Sequence, residues 1–402
     1  MDNANAVEYP RPASNGRRLW QVLLALLVAA ALLITGRSFA PGASSAAIPS
    51  GAPVNNYVPQ TRVYYVAADE VVWDYAPSGK NDITGAAFDD TAKTYVQQGP
   101  DRIGSKYLKS LYREYTDATF KHLKARGADW QHLGMLGPVI RGVVGDTIKV
   151  VYRNNVDRPT SIHVHGVKYE KNSEGAPYAD GTSGADKADD AVPPHGTHTY
   201  TYTVPERAGP GPMDGSSVMW MYHSHTNEVG DDYAGLVGPM IITAANKARP
   251  DGTPIDVDRE IVLQFKVSSE NQSPYLQRNI DKFTGKPASV NPEDPDFQES
   301  NQMHTINGYV FGNQPLASMT MKLGEHVRWY LMAMGTEVDL HTPHWHGNTV
   351  VANGMRTDVV GLLPATMLVA DMVPDNAGTW LMHCHVNDHI TAGMLTRYAV
   401  VA

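Results

Sequence analysis

The segment that decides the fold reads HCHVNDHITAGM over residues 383–394. It places the chain's single cysteine, Cys384, between two histidines, with His389 and Met394 further along. Successive side chains of a strand point to opposite faces, so the two flanking histidines share one face and Cys384 points to the other. A thiolate with two imidazoles and a weak methionine ligand is the donor set of a blue copper site. We predict that His341 supplies the second imidazole.

Pairs of histidines separated by one residue occur at four places in the chain. They are His163 with His165, His223 with His225, His344 with His346, and His383 with His385. Since residues two apart in a strand share a face, each pair presents two imidazoles side by side. Neutral imidazole is a good ligand for copper, zinc, iron or nickel. Eight such imidazoles could hold three metal ions with two or three nitrogens each.

The four pairs mark two copies of one sequence unit. Residues 136–166 and residues 319–347 each contain a glycine followed by an acidic residue, then a strand-like run, then a His-x-His-Gly motif. In the first copy, Thr160, Ser224 and Val229 stand where the second copy has the two histidines and the cysteine of the predicted blue site. None of the three is a soft copper ligand, so we expect one blue site per chain.

The rest of the sequence from residue 57 onward predicts an all-β fold. Alternating and β-branched runs are separated by turn residues, as in a sandwich or barrel. The clearest runs cover residues 63–66, 147–152, 197–204, 327–331 and 367–372. The best helical pattern extends from Lys106 to Leu123, and residues 171–194 are predicted to form a long loop. Two copies of the unit predict two domains, residues 57–248 without the blue site and residues 249–402 with it.

Residues 1–56 are predicted to direct export. Arg17 and Arg18 precede an apolar stretch at residues 19–35, which is the layout of a signal peptide. A tether rich in Ala, Gly, Ser and Pro follows. We expect a periplasmic or extracellular protein whose apolar stretch is either cleaved or kept as a membrane anchor.

Composition limits the classes of function. The chain has 402 residues, of which 42% are hydrophobic and 19% are charged, as in ordinary globular proteins. Its net charge of −9 argues against nucleic acid as a partner. A single cysteine excludes an intrachain disulfide.

These motifs resemble the four copper motifs of multicopper oxidases. Residues 64–68, 72–77, 299–308 and 331–335 further resemble ceruloplasmin and hephaestin, which have six domains where this chain has two. The resemblance implies an all-β fold of two cupredoxin-like Greek-key β-sandwich domains. It also implies four coppers per chain: one type 1, one type 2 and two type 3.

The resemblance assigns a role to each matching position. Type 1 copper would be held by His341, Cys384, His389 and Met394, and type 2 copper by His163 and His344. One type 3 copper would be held by His165, His223 and His385, the other by His225, His346 and His383. A site for iron as substrate would consist of Glu299, His304, Glu337 and Asp388, a hard anionic donor set suited to an iron cation.

The implied activity is one-electron oxidation of a reductant, with Fe(II) favoured, coupled to four-electron reduction of O2 to water. A laccase-like oxidase of phenols or Cu(I), an electron-transfer protein and a nitrite reductase are the alternatives. A trinuclear cluster needs four histidines from each domain, and the relatives form it between the first and last domains of a ring. We therefore expect a homotrimer that shares its clusters between chains, with Glu337 completing a neighbour's iron site. The alternative is a monomer with an internal cluster.

Overall fold

The computed structural model describes residues 57–402. Within that range the chain forms eighteen strands, five α-helices and eight short 3-10 helices. The predicted export segment and tether therefore lie outside the described residues. None of the helices within residues 57–402 is long and apolar enough to cross a membrane.

The strands and helices have the following bounds. The strands are β1 (Thr61–Asp74), β2 (Lys106–Tyr115), β3 (Ile140–Val143), β4 (Thr147–Asn154), β5 (His163–Val164), β6 (Thr197–Thr203), β7 (Ser217–His223), β8 (Val237–Thr243), β9 (Arg259–Ser269), β10 (Gln302–Ile306), β11 (Thr320–Lys322), β12 (Val327–Ala333), β13 (Pro343–Trp345), β14 (Val350–Ala352), β15 (Met355–Thr357), β16 (Met367–Met372), β17 (Gly378–Cys384) and β18 (Leu395–Val401). The α-helices are α1 (Asp90–Val96), α2 (Glu228–Ala234), α3 (Leu276–Phe283), α4 (Pro295–Ser300) and α5 (Asn387–Thr391). The 3-10 helices are Ala128–Leu133, Lys171–Ser173, Gly184–Lys187, Glu206–Ala208, Ala245–Lys247, Glu270–Gln272, Pro287–Ser289 and Leu316–Met319.

Strands up to β8 form two four-stranded sheets with the orders β2-β1-β4-β6 and β3-β8-β7-β5. Strand β4 shows why they pack face to face, because Ile148, Val150 and Tyr152 are buried while Lys149 is exposed. This period of two places one apolar face against the opposite sheet. The first half of the described chain is therefore a β-sandwich.

The strands from β9 onward repeat this arrangement. Their sheets have the orders β10-β9-β12-β16-β14-β15 and β11-β18-β17-β13. β9 and β12 pair in parallel as β1 and β4 do, and β11 and β18 pair in parallel as β3 and β8 do. The all-β, Greek-key character predicted from the sequence is confirmed, and the predicted strands lie within β1, β4, β6, β12 and β16 or overlap them by all but one residue. The domain boundary at residues 248 and 249 stays a proposal.

An apolar cluster joins the two sandwiches. Leu133, Met221 and Ile241 from the first half pack with Tyr330 and Met332 from β12. Every residue of β12 is buried, because one face looks into its own sandwich and the other looks toward the first half. Its sequence is apolar or aromatic except at Arg328, whose charge is paired with Asp371, as a doubly covered strand requires.

The helix predicted from Lys106 to Leu123 is wrong, because Lys106–Tyr115 is strand β2. It pairs with β1 in an antiparallel register from Tyr65 opposite Tyr115 to Asp74 opposite Lys106. Both faces of β2 are buried, since Tyr112 enters the first sandwich core while Leu111 enters a cluster shared with the second half. Double burial removes the alternation that would have identified a strand. The predicted long loop at residues 171–194 contains only two short 3-10 helices.

Candidate metal centres

Cys384 lies at the end of β17 and meets two histidines from other segments. Its Sγ is 3.9 Å from His341 Nδ1 and 3.5 Å from His389 Nδ1, and the two nitrogens are 3.3 Å apart. His341 precedes β13 and His389 lies on α5. All three side chains are buried. The three residues predicted to form the trigonal part of a type 1 site thus converge, and we call them the Cys384 group.

A buried carboxylate sets the tautomer of His341. Asp339 Oδ1 lies 3.1 Å from His341 Nε2, and neither side chain is exposed to solvent. An ionised carboxylate only accepts, so Nε2 carries the proton and Nδ1 keeps a free lone pair toward Cys384. Burial lowers the pKa of His341, but the hydrogen bonds with Asp339 and Cys384 and the charges of both residues together outweigh burial, so the pKa is raised overall. The sequence analysis missed Asp339, although its position two residues before His341 was a usable signal.

The surroundings of Cys384 lower the pKa of its thiol. Burial raises its pKa, but the contacts of Sγ with the rings of His341 and His389 and with the backbone of Thr342 and Val386 together outweigh burial and lower the pKa to about 6. A thiolate is the form that binds a soft metal. Met394 is fully buried in the same apolar cluster as Cys384, and its carbonyl accepts the Cys384 amide at 3.2 Å.

The first two histidine pairs meet on one edge of the first sandwich. His163 on β5 stands opposite His223 on β7, and the Nε2 atoms of His165 and His223 are 3.3 Å apart. These three residues offer ligand atoms that all lie within 4.8 Å of one another. The ring of His225 is 5.2 Å from that of His163 between centroids. His163 Nδ1 donates to the carbonyl of Glu174 at 2.7 Å, which leaves Nε2 free for a metal.

The last two pairs meet in the same way in the second sandwich. His344 on β13 stands opposite His383 on β17. His383 Nε2 is 3.3 Å from His344 Nδ1 and 3.1 Å from His346 Nε2, and His383 Nδ1 donates to the carbonyl of Cys384 at 2.8 Å. The ring of His385 is 5.3 Å from that of His344. We call these four residues the second quartet, and the four of the first sandwich the first quartet.

The glycine after two of the pairs has a steric cause. Gly166 and Gly347 adopt φ values of +79° and +76°. A Cβ on Gly166 would come within 2.2 Å of Trp220, and one on Gly347 within 2.4 Å of Trp380. Each tryptophan thus packs on the backbone directly after a histidine pair. Only glycine permits both the positive φ and this approach.

Burial favours the neutral form of several quartet histidines. Burial, followed by the charges of the neighbouring histidines, lowers the pKa of His223 to about 3 and that of His165 to about 4. Neutral imidazole is the form that donates a lone pair to a metal. Burial likewise lowers the pKa of His383 in the second quartet. Histidines of both quartets are therefore biased toward the neutral form that binds copper.

The two quartets are separate within one chain. Throughout residues 57–402, no ring contact, hydrogen bond or metal-ligand group joins a histidine of the first quartet to one of the second. The predicted type 2 and type 3 sets each combine histidines from both quartets. One chain therefore brings together two of the three histidines of each predicted type 3 set, and it keeps the two predicted type 2 histidines apart.

Two models of the multicopper oxidase family match the chain, over residues 130–247 and residues 286–402. Each match contains one quartet, and the second also contains Cys384. The chain belongs to the multicopper oxidase family. Copper is the cofactor that membership implies, and the buried thiolate with two imidazole nitrogens fits it.

Three similar proteins cover most of this chain, and one of them is a ferroxidase by name. Ferroxidase HEPHL1 of Homo sapiens is 46% identical over 343 residues, which is 85% of this chain and 29% of that protein. Hephaestin of Homo sapiens is 44% identical over 344 residues, covering 85% and 29%. Ceruloplasmin of Ovis aries is 44% identical over 342 residues, covering 84% and 32%. The multicopper oxidase chain thus spans about a third of the length of the curated relatives it matches.

Solved structures share the fold. A crystal structure of a multicopper oxidase has a TM-score of 0.51 at 15% identity, covering 85% of this chain and 88% of that one. Copper nitrite reductase from Nitrosomonas europaea has a TM-score of 0.52 at 16% identity, covering 85% and 94%. At these identities the likeness concerns the fold alone. It confirms the cupredoxin-like sandwiches predicted for this multicopper oxidase.

A pocket of about 340 Å³ adjoins the Cys384 group in this multicopper oxidase. Three of the four predicted iron ligands line it, namely Glu299, His304 and Asp388, and so does His389. The rings of His304 and His389 are 5.2 Å apart between centroids. Glu337 is exposed and does not line the pocket, although its two sequence neighbours do. The chain thus brings three of the four predicted residues together.

The position in the first sandwich that matches Cys384 holds an ion pair. Ser224 donates its hydroxyl to Asp231 Oδ2 at 2.6 Å, and Arg158 Nε donates to Asp231 Oδ1 at 3.1 Å. The side chain of Asp231 is fully buried. Thr160, which matches His341, shares a hydrogen bond with the hydroxyl of Tyr152. Arg158 therefore balances the buried charge of Asp231 at the place that corresponds to the Cys384 group. None of the metal-ligand groups within residues 57–402 includes Thr160, Ser224 or Val229.

Proposed function

We propose that this multicopper oxidase is a ferroxidase, which takes electrons from Fe(II) at the Cys384 group and uses them to reduce O2 to water. The observation that carries the proposal is the acidic pocket that ends on His389, whose Nδ1 is 3.5 Å from Cys384 Sγ. Four Fe(II), one O2 and four protons give four Fe(III) and two waters. Among the described residues, two carboxylates and no lysine or arginine line this pocket, so its charge favours a cation over a neutral phenol.

The pocket residues supply hard donors for an iron cation. Glu299 and Asp388 bring two carboxylates, and oxygen donors suit such an ion. Burial lowers the pKa of His304 to about 4, so its ring is neutral at pH 7. His304 Nδ1 donates to the carbonyl of Gln302 at 2.9 Å, which leaves Nε2 free. The carboxylates therefore attract the cation while the neutral imidazole adds no repulsion.

We propose four coppers per chain: type 1 at the Cys384 group with Met394, and one type 2 and two type 3 at the quartets in the combinations given above. Copper at these sites would accept electrons one at a time and deliver four to O2. The chain's own residues provide the path, because Cys384 is bonded through the backbone to His383 and His385. Both flanking histidines belong to the second quartet, so covalent bonds connect the two kinds of site.

The proposed substrate is tested by comparing two reductants. Replacing Glu299, His304 or Asp388 with alanine should lower kcat/KM for Fe(II) by about tenfold or more each, because a charge-assisted ligand is lost. Oxidation of a bulky phenol should change little. Asp296→Ala is the matched control, since Asp296 lies on α4 with Glu299 but does not line the pocket. Equal losses for both reductants would show damage to the Cys384 group and refute the iron site.

We propose that three chains assemble so that each cluster is shared between the first quartet of one chain and the second quartet of the next. The separation of the quartets within one chain supports this. Leu340 and Leu363 are 52% and 57% exposed, and we propose that they contribute apolar surface to a contact between chains. A head-to-tail contact that closes by rotation gives a ring. In that ring Glu337 would complete a neighbour's iron site.

A mixing experiment tests shared clusters. A chain with His163→Ala and His165→Ala is combined with a chain with His344→Ala and His346→Ala, each inactive alone. Shared clusters predict partial recovery of activity on co-assembly, because some contacts pair two intact quartets. No recovery together with a monomeric mass by light scattering would rule the trimer out.

We further propose that residues 19–35 direct export of the protein and are then either cleaved or retained as a membrane anchor.

A further inference from the structure

A tyrosine from the first half of the chain reaches the acidic pocket of the second half. Tyr95 lies on α1, and its hydroxyl donates to Glu299 Oε1 at 2.6 Å. Its ring meets that of His304 at 5.8 Å between centroids and at 72°, an edge-to-face contact. It also lines the pocket. Tyr95 therefore touches two of the residues that we propose to bind iron.

Packing holds the Tyr95 ring in one place. The residue is 7% exposed and packs with Ala92 on α1 and Phe297 on α4. Helix α1 begins with a cap in which Asp89 accepts the amide of Ala92 at 2.9 Å. The hydroxyl is thus fixed by a capped helix and a buried cluster. Rigid placement is what a residue needs in order to orient another side chain.

The Glu299 carboxylate depends on this contact. Across residues 57–402, the hydroxyl of Tyr95 is the only hydrogen-bond partner of the Glu299 side chain. Glu299 is itself exposed, and a long side chain of this kind loses substantial rotamer freedom when it is fixed. The hydrogen bond engages Oε1 and leaves Oε2 for a cation. Burial, followed by the hydrogen bond to Glu299, raises the pKa of Tyr95, so its hydroxyl stays protonated and remains a donor.

We propose that Tyr95 is a positioning residue for the cationic reductant: it orients Glu299 before a divalent cation binds, so that the first half of the chain contributes to substrate selectivity. This inference rests on the proposed function. Its physical basis is pre-organisation, because a carboxylate already held in place does not lose that freedom when the cation arrives.

The first test replaces Tyr95 with phenylalanine, which keeps the ring and its packing. We expect kcat/KM for Fe(II) to fall about tenfold, mainly through KM, with oxidation of a bulky phenol unchanged within about twofold. Tyr115→Phe is the matched control, since Tyr115 donates to Asp69 Oδ2 at 2.8 Å and neither residue lines the pocket. Blue absorption and the unfolding temperature establish that each variant is folded and loaded. Equal losses for Fe(II) and the phenol would overturn the positioning role.

A second test separates Tyr95 from Glu299. If Tyr95 acts through Glu299, then Tyr95→Phe should change kcat/KM for Fe(II) by less than about twofold in a Glu299→Ala background. A full tenfold loss in that background would overturn the inference. If Glu299→Ala selectively impairs Fe(II) oxidation while Tyr95→Phe does not, the inference fails and the proposed function stands. If Glu299→Ala has no selective effect, the proposed function itself fails.

A binding measurement gives a readout without turnover. Zn²⁺ is redox-inert and competes for the same donors, so its inhibition constant against Fe(II) reports cation binding in the copper-loaded protein. We expect this constant to rise about tenfold in Tyr95→Phe and to stay unchanged in Tyr115→Phe. An unchanged constant in Tyr95→Phe would contradict pre-organisation of Glu299.

Discussion

Replacing Asp339 with asparagine isolates the charge of the carboxylate beside His341. The side chain is fully buried, so its charge acts through protein rather than through water. Oδ1 accepts the amide of Val267 at 2.7 Å, and Oδ2 accepts the amide of Thr336 at 2.8 Å. Asparagine keeps the shape and one accepting oxygen, but it is neutral. The change therefore removes a unit of negative charge with little loss of volume.

The distances give the size of the effect. Asp339 Oδ1 is 3.1 Å from Nε2 of His341, and Nδ1 across the ring is 3.9 Å from Cys384 Sγ. The charge thus lies roughly 7 Å from the centre of the Cys384 group, where it is worth about 2.4 kcal/mol at an effective dielectric constant of about 20. A one-electron potential changes by about 59 mV for each factor of ten in equilibrium constant. We expect a rise of about 100 mV, because the lost negative charge stabilised the oxidised site.

A redox titration of the blue absorption band measures this shift directly. Asp358→Asn is a suitable control, because Asp358 lies 3.6 Å from His344 Nε2 but its side chain is 55% exposed. Solvent screens an exposed charge, so that variant should shift the type 1 potential by less than about 20 mV. An unchanged or lower potential in a fully blue Asp339→Asn variant would refute the electrostatic role of Asp339.

Three further predictions follow from the site. Cys384→Ser should abolish the blue band while much of the cluster copper remains in metal analysis, and a persistent band would contradict the type 1 assignment. Gly166→Ala should lower the free energy of unfolding, measured by urea denaturation, by about 3 kcal/mol, because the backbone strain of a positive φ adds to the clash with Trp220. Gly181→Ala is the control: its φ is +80° but the space around it is open, so the free energy of unfolding should fall by about 1 kcal/mol. The copper-free protein should lose stability as the pH falls from 6.5 toward 3, because His223 is neutral when folded but protonated when unfolded; stability that stays flat over this window in thermal unfolding would contradict it.

Local spacing predicted the parts of the site that lie close together in sequence. The four histidine pairs could be found because a strand places residues two apart on one face, and Cys384 because it stands between two of these histidines. His389 was found from its position five residues after Cys384. The same period identified strands with one buried face. It failed for β2, where burial on both faces left an apolar spacing that resembles a helix.

Residues that reach the site from distant segments could not be predicted in this way. Tyr95 is 204 positions from Glu299 in the sequence, and no residue near Tyr95 in the sequence indicates that contact. Their meeting depends on how α1 packs against α4, which is a property of the tertiary structure. Asp339 is different, because it lies two residues before His341 in sequence. A metal-binding histidine commonly donates its second ring nitrogen to a carboxylate, so Asp339 could have been predicted as that partner.

The two sandwiches also show how one position can serve with a metal or without one. In the second, the Cys384 thiolate faces two imidazole nitrogens within 3.9 Å, an arrangement that gains its bonds when copper binds. In the first, Ser224 occupies the matching position and is held by the buried Asp231 with Arg158. A buried ion pair needs no metal ion, because the charges of its two side chains compensate each other. The side chain at this point of the first sandwich is therefore held by protein atoms alone, whereas the Cys384 side chain at the matching point of the second sandwich would gain copper as a further partner. Removal of copper should thus release the second quartet more than the first.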